Sequence, residues 1–263
     1  MIYPHHQKAI ANITNIFQSD NEVEALLIAG SLAHGFNDEN SDVDILVIVS
    51  DDRYSQKEKD RACTFRKEAD EFYDGGYYDG KYISLGYLDL VAKRGNEPTK
   101  FALHDAQIAF DKTGKVADYL KKIGVYNTEC IRENTMRFVS QLDAWKWYCD
   151  EGLKKNNQYL LDLAVSKLIL FAGRLILLDN RLLFPYHKWF MKVLENAPQK
   201  PPALMASIQG LLTDKSADNV ARFYELIKNY KDWSGGTAYR WSSYFLYDVE
   251  TVWMRNDEYI ENL

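Results

Sequence analysis

The stretch Ala29–Val47, AGSLAHGFNDENSDVDILV, decides how the chain is read: a Gly-Ser turn, ten residues, then two aspartates separated by one valine. Upstream lies VEALLIAG, a short apolar run with the character of a buried strand, and downstream the aspartates open a second run, DVDILVIV. Gly30 allows the tight backbone turn that must follow the first strand, and Ser31 offers a hydroxyl and an N–H to an anionic oxygen. Strand side chains alternate between faces, so Asp42 and Asp44 project from the same one. Like charges at the mouth of an apolar strand repel unless a cation bridges them, and paired hard oxygens suit Mg²⁺ with a phosphate chain. Each piece alone is common as structure; their joint order and spacing carry the functional reading.

On Gly30, Ser31, Ala33, Gly35, Ser41, Asp42 and Asp44, which reproduce the pattern G-S-x-A-x-G…S-D-x-D, the chain resembles the nucleotidyltransferase superfamily that includes DNA polymerase beta. Within it, the chain more closely resembles small members such as the kanamycin and lincosamide nucleotidyltransferases. The resemblance covers about twenty residues. Many relatives carry arginine at the positions of Leu32 or His34; this chain does not.

The resemblance also implies a third carboxylate on a neighbouring strand. KYISLGYLDLVAK, Lys81 to Lys93, is rich in β-branched and aromatic residues and follows glycines 75, 76 and 80, so it reads as a strand, with Asp89 its only acid. An isolated aspartate in an apolar segment needs a hydrogen-bonding partner or a metal. Asp89 is therefore expected to complete the metal site with Asp42 and Asp44.

The 263 residues are 46% hydrophobic and 27% charged, the composition of a globular protein of one large or two modest domains. The start, MIYPHHQKAIANIT, lacks the basic and apolar segments of a secretory signal, and no apolar run reaches the length of a membrane span. Three scattered cysteines, Cys63, Cys130 and Cys149, fit free thiols in a reducing cytoplasm. Net charge is −6, unevenly spread: residues 1–120 hold 13 basic and 21 acidic side chains, residues 121–263 hold 19 and 17. An acidic first half repels a nucleic-acid strand and attracts a small cationic substrate.

An α+β organisation is expected. Residues 1–120 form an α/β domain with a small mixed sheet: a helix over about Tyr3–Gln18 carrying Ile10, Ile13, Ile16 and Phe17, the two strands above, a charged helix from about Ser55 to Tyr73, the Asp89 strand, and a helix leading to a last strand before the turn DKTGK. Residues 121–263 form an all-helical bundle, with helices at about 129–155, 159–179, 186–195, 203–212, 217–230 and 242–263.

The helix YLLDLAVSKLILFAGRLILL is apolar nearly all round and belongs at the bundle's centre, with Lys167 and Arg174 as its cations. Such cations snorkel or pair with acids; the resemblance implies instead that Lys167 reaches the triphosphate, as a lysine of the helical domain does in relatives. Tyr186, His187, Lys188 and Trp189 after Pro185 read either as a phosphate-facing helix start or as a core edge. Asp143 and Asp150, beside Trp145 and Trp147, read as acids and aromatics at a cleft or, equally well, as a solvated helix face.

Together these readings imply a nucleotidyltransferase: Asp42, Asp44 and Asp89 hold one or two Mg²⁺ ions, Gly30 and Ser31 cradle the phosphates of a nucleoside triphosphate, with ATP the default by resemblance, and a hydroxyl of a small acceptor attacks the α-phosphorus. Aminoglycoside- or lincosamide-like antibiotics are acceptor candidates by the same resemblance. A protein side chain is the alternative acceptor, and a silent nucleotide-binding module the alternative class. A homodimer is compatible with the aromatic-rich helices, and nothing in the sequence requires it.

Overall fold

The structure is a computed structural model that describes residues 2–255 and 257–263. It divides into two compact units, residues 1–125 and 126–263.

The first unit begins with helix α1 (Pro4–Gln18), where proline at the first helical position needs no hydrogen-bond acceptor. Ile13 and Ala9 are fully buried, whereas Ile16 of the expected stripe is exposed. Strand β1 (Val23–Ile28), helix α2 (Gly30–His34) and strand β2 (Val43–Val49) follow, then helix α3 (Asp51–Lys59), strands β3 (Thr64–Glu68) and β4 (Tyr77–Ile83), helices α4 (Leu85–Arg94) and α5 (Glu97–His104), strand β5 (Gln107–Asp111) and helix α6 (Val116–Ile123). The strands form one mixed sheet in the order β3-β4-β2-β1-β5, in which only the β2–β4 pair is parallel. Strand alternation sorts the core into two layers. Leu26, Ile28, Val43, Ile45 and Val47 pack with Ala9 and Ile13 of α1, while Ala25, Leu27 and Ile48 pack with Leu88, Val91, Leu103, Val116 and Ile123 on the other face.

Two expectations are corrected here. The charged segment 55–73 is not one helix: α3 ends at Lys59, Arg61 takes a left-handed conformation (φ 52°), and residues 64–68 become the edge strand β3. Charged side chains serve an exposed edge strand as well as an exposed helix face, so composition alone does not separate them. Phe65 is the residue of β3 that turns inward, onto Gly80 of β4, where a Cβ would stand 2.1 Å from its ring.

The second correction moves Asp89. Strand β4 lies earlier than expected and ends at Ile83; Ser84 then caps α4, its hydroxyl accepting the Tyr87 N–H at 3.1 Å. Leu85, Leu88 and Val91 carry the helical spacing that packs α4 onto the sheet. Asp89 therefore sits on a helix, where its carboxylate takes the Lys93 ammonium one turn on at 2.5 Å.

The second unit is helical: α7 (Ile131–Lys154), α8 (Gln158–Asp179), α9 (Tyr186–Glu195), α10 (Leu204–Thr213), α11 (Ala217–Lys228) and the short α12 (Trp241–Phe245). The central position expected for α8 is observed, with an unbroken run from Leu168 to Leu178 buried. A continuous helix over 242–263 is not: a π-helical turn at Leu246–Glu250 and a 3-10 turn at Val252–Met254 follow α12, and position 256 lies outside the described residues. Arg174, 1% exposed, lies over the rings of Phe138 and Phe184 and donates to the main-chain oxygens of Glu261 (3.1 Å) and Leu263, fixing this last segment. Among the described residues no helix is long and apolar enough to cross a membrane.

Candidate active site

The site is built where β1 turns into β2. Ala29, in extended conformation, donates its N–H to the carbonyl of Asp44 (2.9 Å) and so ties the turn to the neighbouring strand. Gly30 follows with φ 60°, and a Cβ there would stand 1.7 Å from Oδ2 of Asp44. Only glycine lets the carboxylate lie against this stretch of backbone. Ser31 is 6% exposed, and its hydroxyl has no hydrogen-bond partner among the described residues. A buried, unpaired hydroxyl in the residue after Gly30 leaves a polar group that a ligand could satisfy.

Asp42 is delivered by a loop held at several points. The Asp38 carboxylate accepts the Asn40 N–H (2.9 Å) and the Ser41 hydroxyl (3.2 Å), and the Asp38 N–H returns to the Ser41 hydroxyl oxygen (2.9 Å). The Ser41 carbonyl accepts from the Tyr73 hydroxyl (2.9 Å) and from Nε2 of His6 (2.8 Å). A carbonyl only accepts, so Nε2 carries the His6 proton. Burial pushes the His6 pKa down, against the pull of this bond, so the buried imidazole is neutral.

The third carboxylate belongs to Asp79. The parallel register pairs Asp44 of β2 with Asp79 of β4, and directly paired residues share a sheet face. Oxygens of Asp42, Asp44 and Asp79 all lie within 4.8 Å of one another, each residue half-buried. The Asp42 carboxylate acts on the Tyr77 phenol, and that interaction, with burial, raises the Tyr77 pKa. Tyr73, through burial first and the Asp42 charge second, is pushed up to about 12. Three convergent hard oxygens with adjacent neutral phenols, a glycine-backed carboxylate and an unpaired serine hydroxyl fit a divalent cation with a phosphate ligand.

Of the residues picked from sequence, Gly30, Ser31, Asp42 and Asp44 come together here. Asp89 does not; the third carboxylate grouped with Asp42 and Asp44 is that of Asp79. Asp79 is signalled by alternation within YYDGKYI, where Tyr77, Asp79 and Lys81 share a face, but Gly80, a residue common in turns, interrupts the strand pattern. Leu32 is a core residue (2% exposed), and His34 stacks on Phe101 at 4.4 Å with Nδ1 at 2.9 Å from Asp105. Neither position offers a free cation to a phosphate.

Lys167 lies on α8 of the second unit, ion-paired with Glu261 at 2.5 Å, and lines a cavity of about 280 Å³ with His187, Phe190 and Met191. Tyr186 opens α9 with a left-handed backbone, and its ring and that of His187 pack beside Phe184. Asp143 is not solvated: it accepts from Tyr224 (2.8 Å), Tyr239 (2.5 Å) and Lys228 (3.0 Å). Cys63, Cys130 and Cys149 are free thiols.

Residues 11–72 match the family model described as polymerase beta, nucleotidyltransferase, a span that runs from α1 through the Gly-Ser turn and both aspartates of the motif. No curated protein matches the chain significantly. Among solved structures, a nucleotidyltransferase-like protein from Exiguobacterium sibiricum is similar at 14% identity, with a TM-score of 0.48 over 96% of this chain and 81% of that one. The matched span lies wholly within the first unit and is similar to the nucleotidyltransferase family over those residues.

Proposed function

We propose that this nucleotidyltransferase moves a nucleoside monophosphate, with ATP as the default donor, onto a hydroxyl of a small acceptor and releases pyrophosphate. The observation that carries the reading is the convergence of Asp42, Asp44 and Asp79 within 4.8 Å, against a backbone turn that only Gly30 permits. Asp42, Asp44 and Asp79 would hold Mg²⁺, which when bound withdraws charge from the phosphate chain and lowers the pKa of a coordinated hydroxyl. The Gly30–Ser31 turn receives phosphate oxygens through its N–H groups and the Ser31 hydroxyl. A carboxylate of the three takes the proton of the acceptor hydroxyl as its oxygen attacks the α-phosphorus, and the bond to pyrophosphate breaks.

The acceptor follows from charge. Thirteen basic against 21 acidic side chains over residues 1–120 favour a small, cationic, hydroxylated molecule over a nucleic acid. Aminoglycosides are the first such class to try and lincosamides the second. The test is Mg²⁺-dependent pyrophosphate release from each of the four ribonucleoside triphosphates against both panels, with Asp42→Asn as the blank. Release that needs one acceptor and vanishes in the variant supports the reading. Label transferred from the nucleotide to protein, with no small acceptor needed, moves the assignment to a protein side chain; nucleotide binding without turnover leaves a binding module.

A further inference from the structure

We propose that Arg66 is the phosphate-binding cation of this site, meeting the polyphosphate of the incoming nucleotide from the edge strand β3. The proposal rests on the nucleotidyl-transfer reading above and adds a residue outside the motif from which that reading began.

Three carboxylates and a polyphosphate leave a negative surplus even with a divalent ion bound, so the site needs a positive side chain from the protein. The Gly30–Gly35 turn has none to give: Leu32 is in the core, and His34 is held by Asp105 and Phe101. The sheet supplies one. The antiparallel register pairs Arg66 of β3 with Asp79 of β4, as the parallel register pairs Asp79 with Asp44 of β2. Arg66, Asp79 and Asp44 therefore form a row across three strands on one face. The Arg66 guanidinium carbon lies 3.7 Å from the centroid of the Tyr77 ring, which stands on the same face of β4 as Asp79. One aromatic ring thus separates the guanidinium from the carboxylate cluster, and stacking on it restricts the side chain before any ligand arrives.

The remaining partner of Arg66 does not hold it back. Glu68 accepts from Nε at 3.0 Å, but both side chains are more than half exposed, at 58% and 60%. An ion pair so open to water is weak and gives way to a bidentate phosphate. Lys81 is the competing candidate, two residues beyond Asp79 on β4; by register it stands opposite Leu46 rather than beside an acid of the cluster.

The experiment is calorimetric binding of Mg²⁺-ATP, and of the other three Mg²⁺-nucleotides, to the full chain as wild type, Arg66→Gln, Arg66→Lys and Lys81→Gln. Arg66 lies on an exposed edge, so all variants are expected to melt as wild type does. Arg66→Gln should weaken nucleotide binding by about tenfold or more, Arg66→Lys should fall between, and Lys81→Gln should bind as wild type. Unchanged affinity in Arg66→Gln, or a loss confined to Lys81→Gln, overturns the assignment while leaving the nucleotidyl-transfer reading intact. A wild-type chain that binds none of the four nucleotides overturns both.

Discussion

Gly30 and Asp44 meet in a contact closed to every other residue: a Cβ on Gly30 would stand 1.7 Å from Oδ2 of Asp44, at a backbone φ of 60°. Gly30→Ala is therefore expected to act twice. The left-handed backbone costs about 1–2 kcal/mol for a residue with a Cβ, and the displaced Asp44 carboxylate leaves the cluster. Pyrophosphate release should fall by about 100-fold, the usual consequence of an ångström-scale misplacement. Gly35 is the control: its φ is 69°, yet nothing lies within 4 Å of an added Cβ. Gly35→Ala should lower the melting temperature similarly and leave the turnover of folded protein near wild type. Equal loss of turnover in both would show that strain in the turn, not the approach of Asp44, is what matters.

Asp79 and Asp89 lie ten residues apart, one on strand β4 and the other on helix α4. Asp79 shares the cluster with Asp42 and Asp44, whereas Asp89 is paired with Lys93 on a helix. Asp79→Asn should reduce Mg²⁺-dependent turnover by about 100-fold or more with the fold retained, because the change removes charge and keeps shape. Asp89→Asn gives up one solvent-exposed helical ion pair of little weight and should keep its activity. Assays of the two variants side by side decide which aspartate is the third carboxylate.

What the sequence disclosed and what it hid follow from how far each interaction reaches along the chain. Gly30, Ser31, Asp42 and Asp44 stand within one turn and one strand start, so spacing and two-residue alternation suffice to bring them together. Asp79 joins them only through the β2–β4 pairing, and a parallel register between segments 35 residues apart leaves no local trace. The helix at Asp89 did leave one, in Ser84 as a cap and in Leu85, Leu88 and Val91 at helical spacing, but β-branched and aromatic content outweighed it in the reading. Residues 55–73 were ambiguous for a different reason: Lys, Glu and Asp are equally at home on an exposed helix face and on an edge strand. In the helical half, long apolar periodicities made α7 and α8 legible. The segment after Phe245 was not, because its course depends on Arg174, 87 residues before Glu261, holding main-chain oxygens there.

Arg174 is a buried cation whose partners include main-chain oxygens of Glu261 and Leu263 and the faces of Phe138 and Phe184. Arg174→Ala should open a void between the rings and leave those acceptors unpaired, at a cost of about 3–5 kcal/mol. Arg174→Met refills the void without the donors and should cost about 2 kcal/mol. Urea unfolding of the three proteins measures both. A cost for Met as large as that for Ala would assign the stabilisation to the hydrogen bonds and not to packing.

Asp111 ends β5 by folding the chain over its own carboxylate, which accepts the Thr113 N–H (2.8 Å), the Thr113 hydroxyl (2.7 Å) and the N–H groups of Gly114 and Val116 (both 3.0 Å). Burial alone would push its pKa up; the Thr113 hydroxyl and the three N–H groups outweigh it and hold the group below the usual carboxylate range. Such a group binds its proton less readily folded than unfolded. Its contribution to stability is therefore complete above the unfolded pKa, near 3.9 for an ordinary aspartate, and fades as the pH falls through the lower folded value. Asp111→Ala should accordingly destabilise the chain at neutral pH by about 1–2 kcal/mol, as the loss of a capping carboxylate does, and the gap to wild type should narrow as the pH drops below about 4. Urea midpoints for the two proteins at a series of pH values test this directly, since a gap that stayed constant into acid would mean that the carboxylate acts through shape and not through charge.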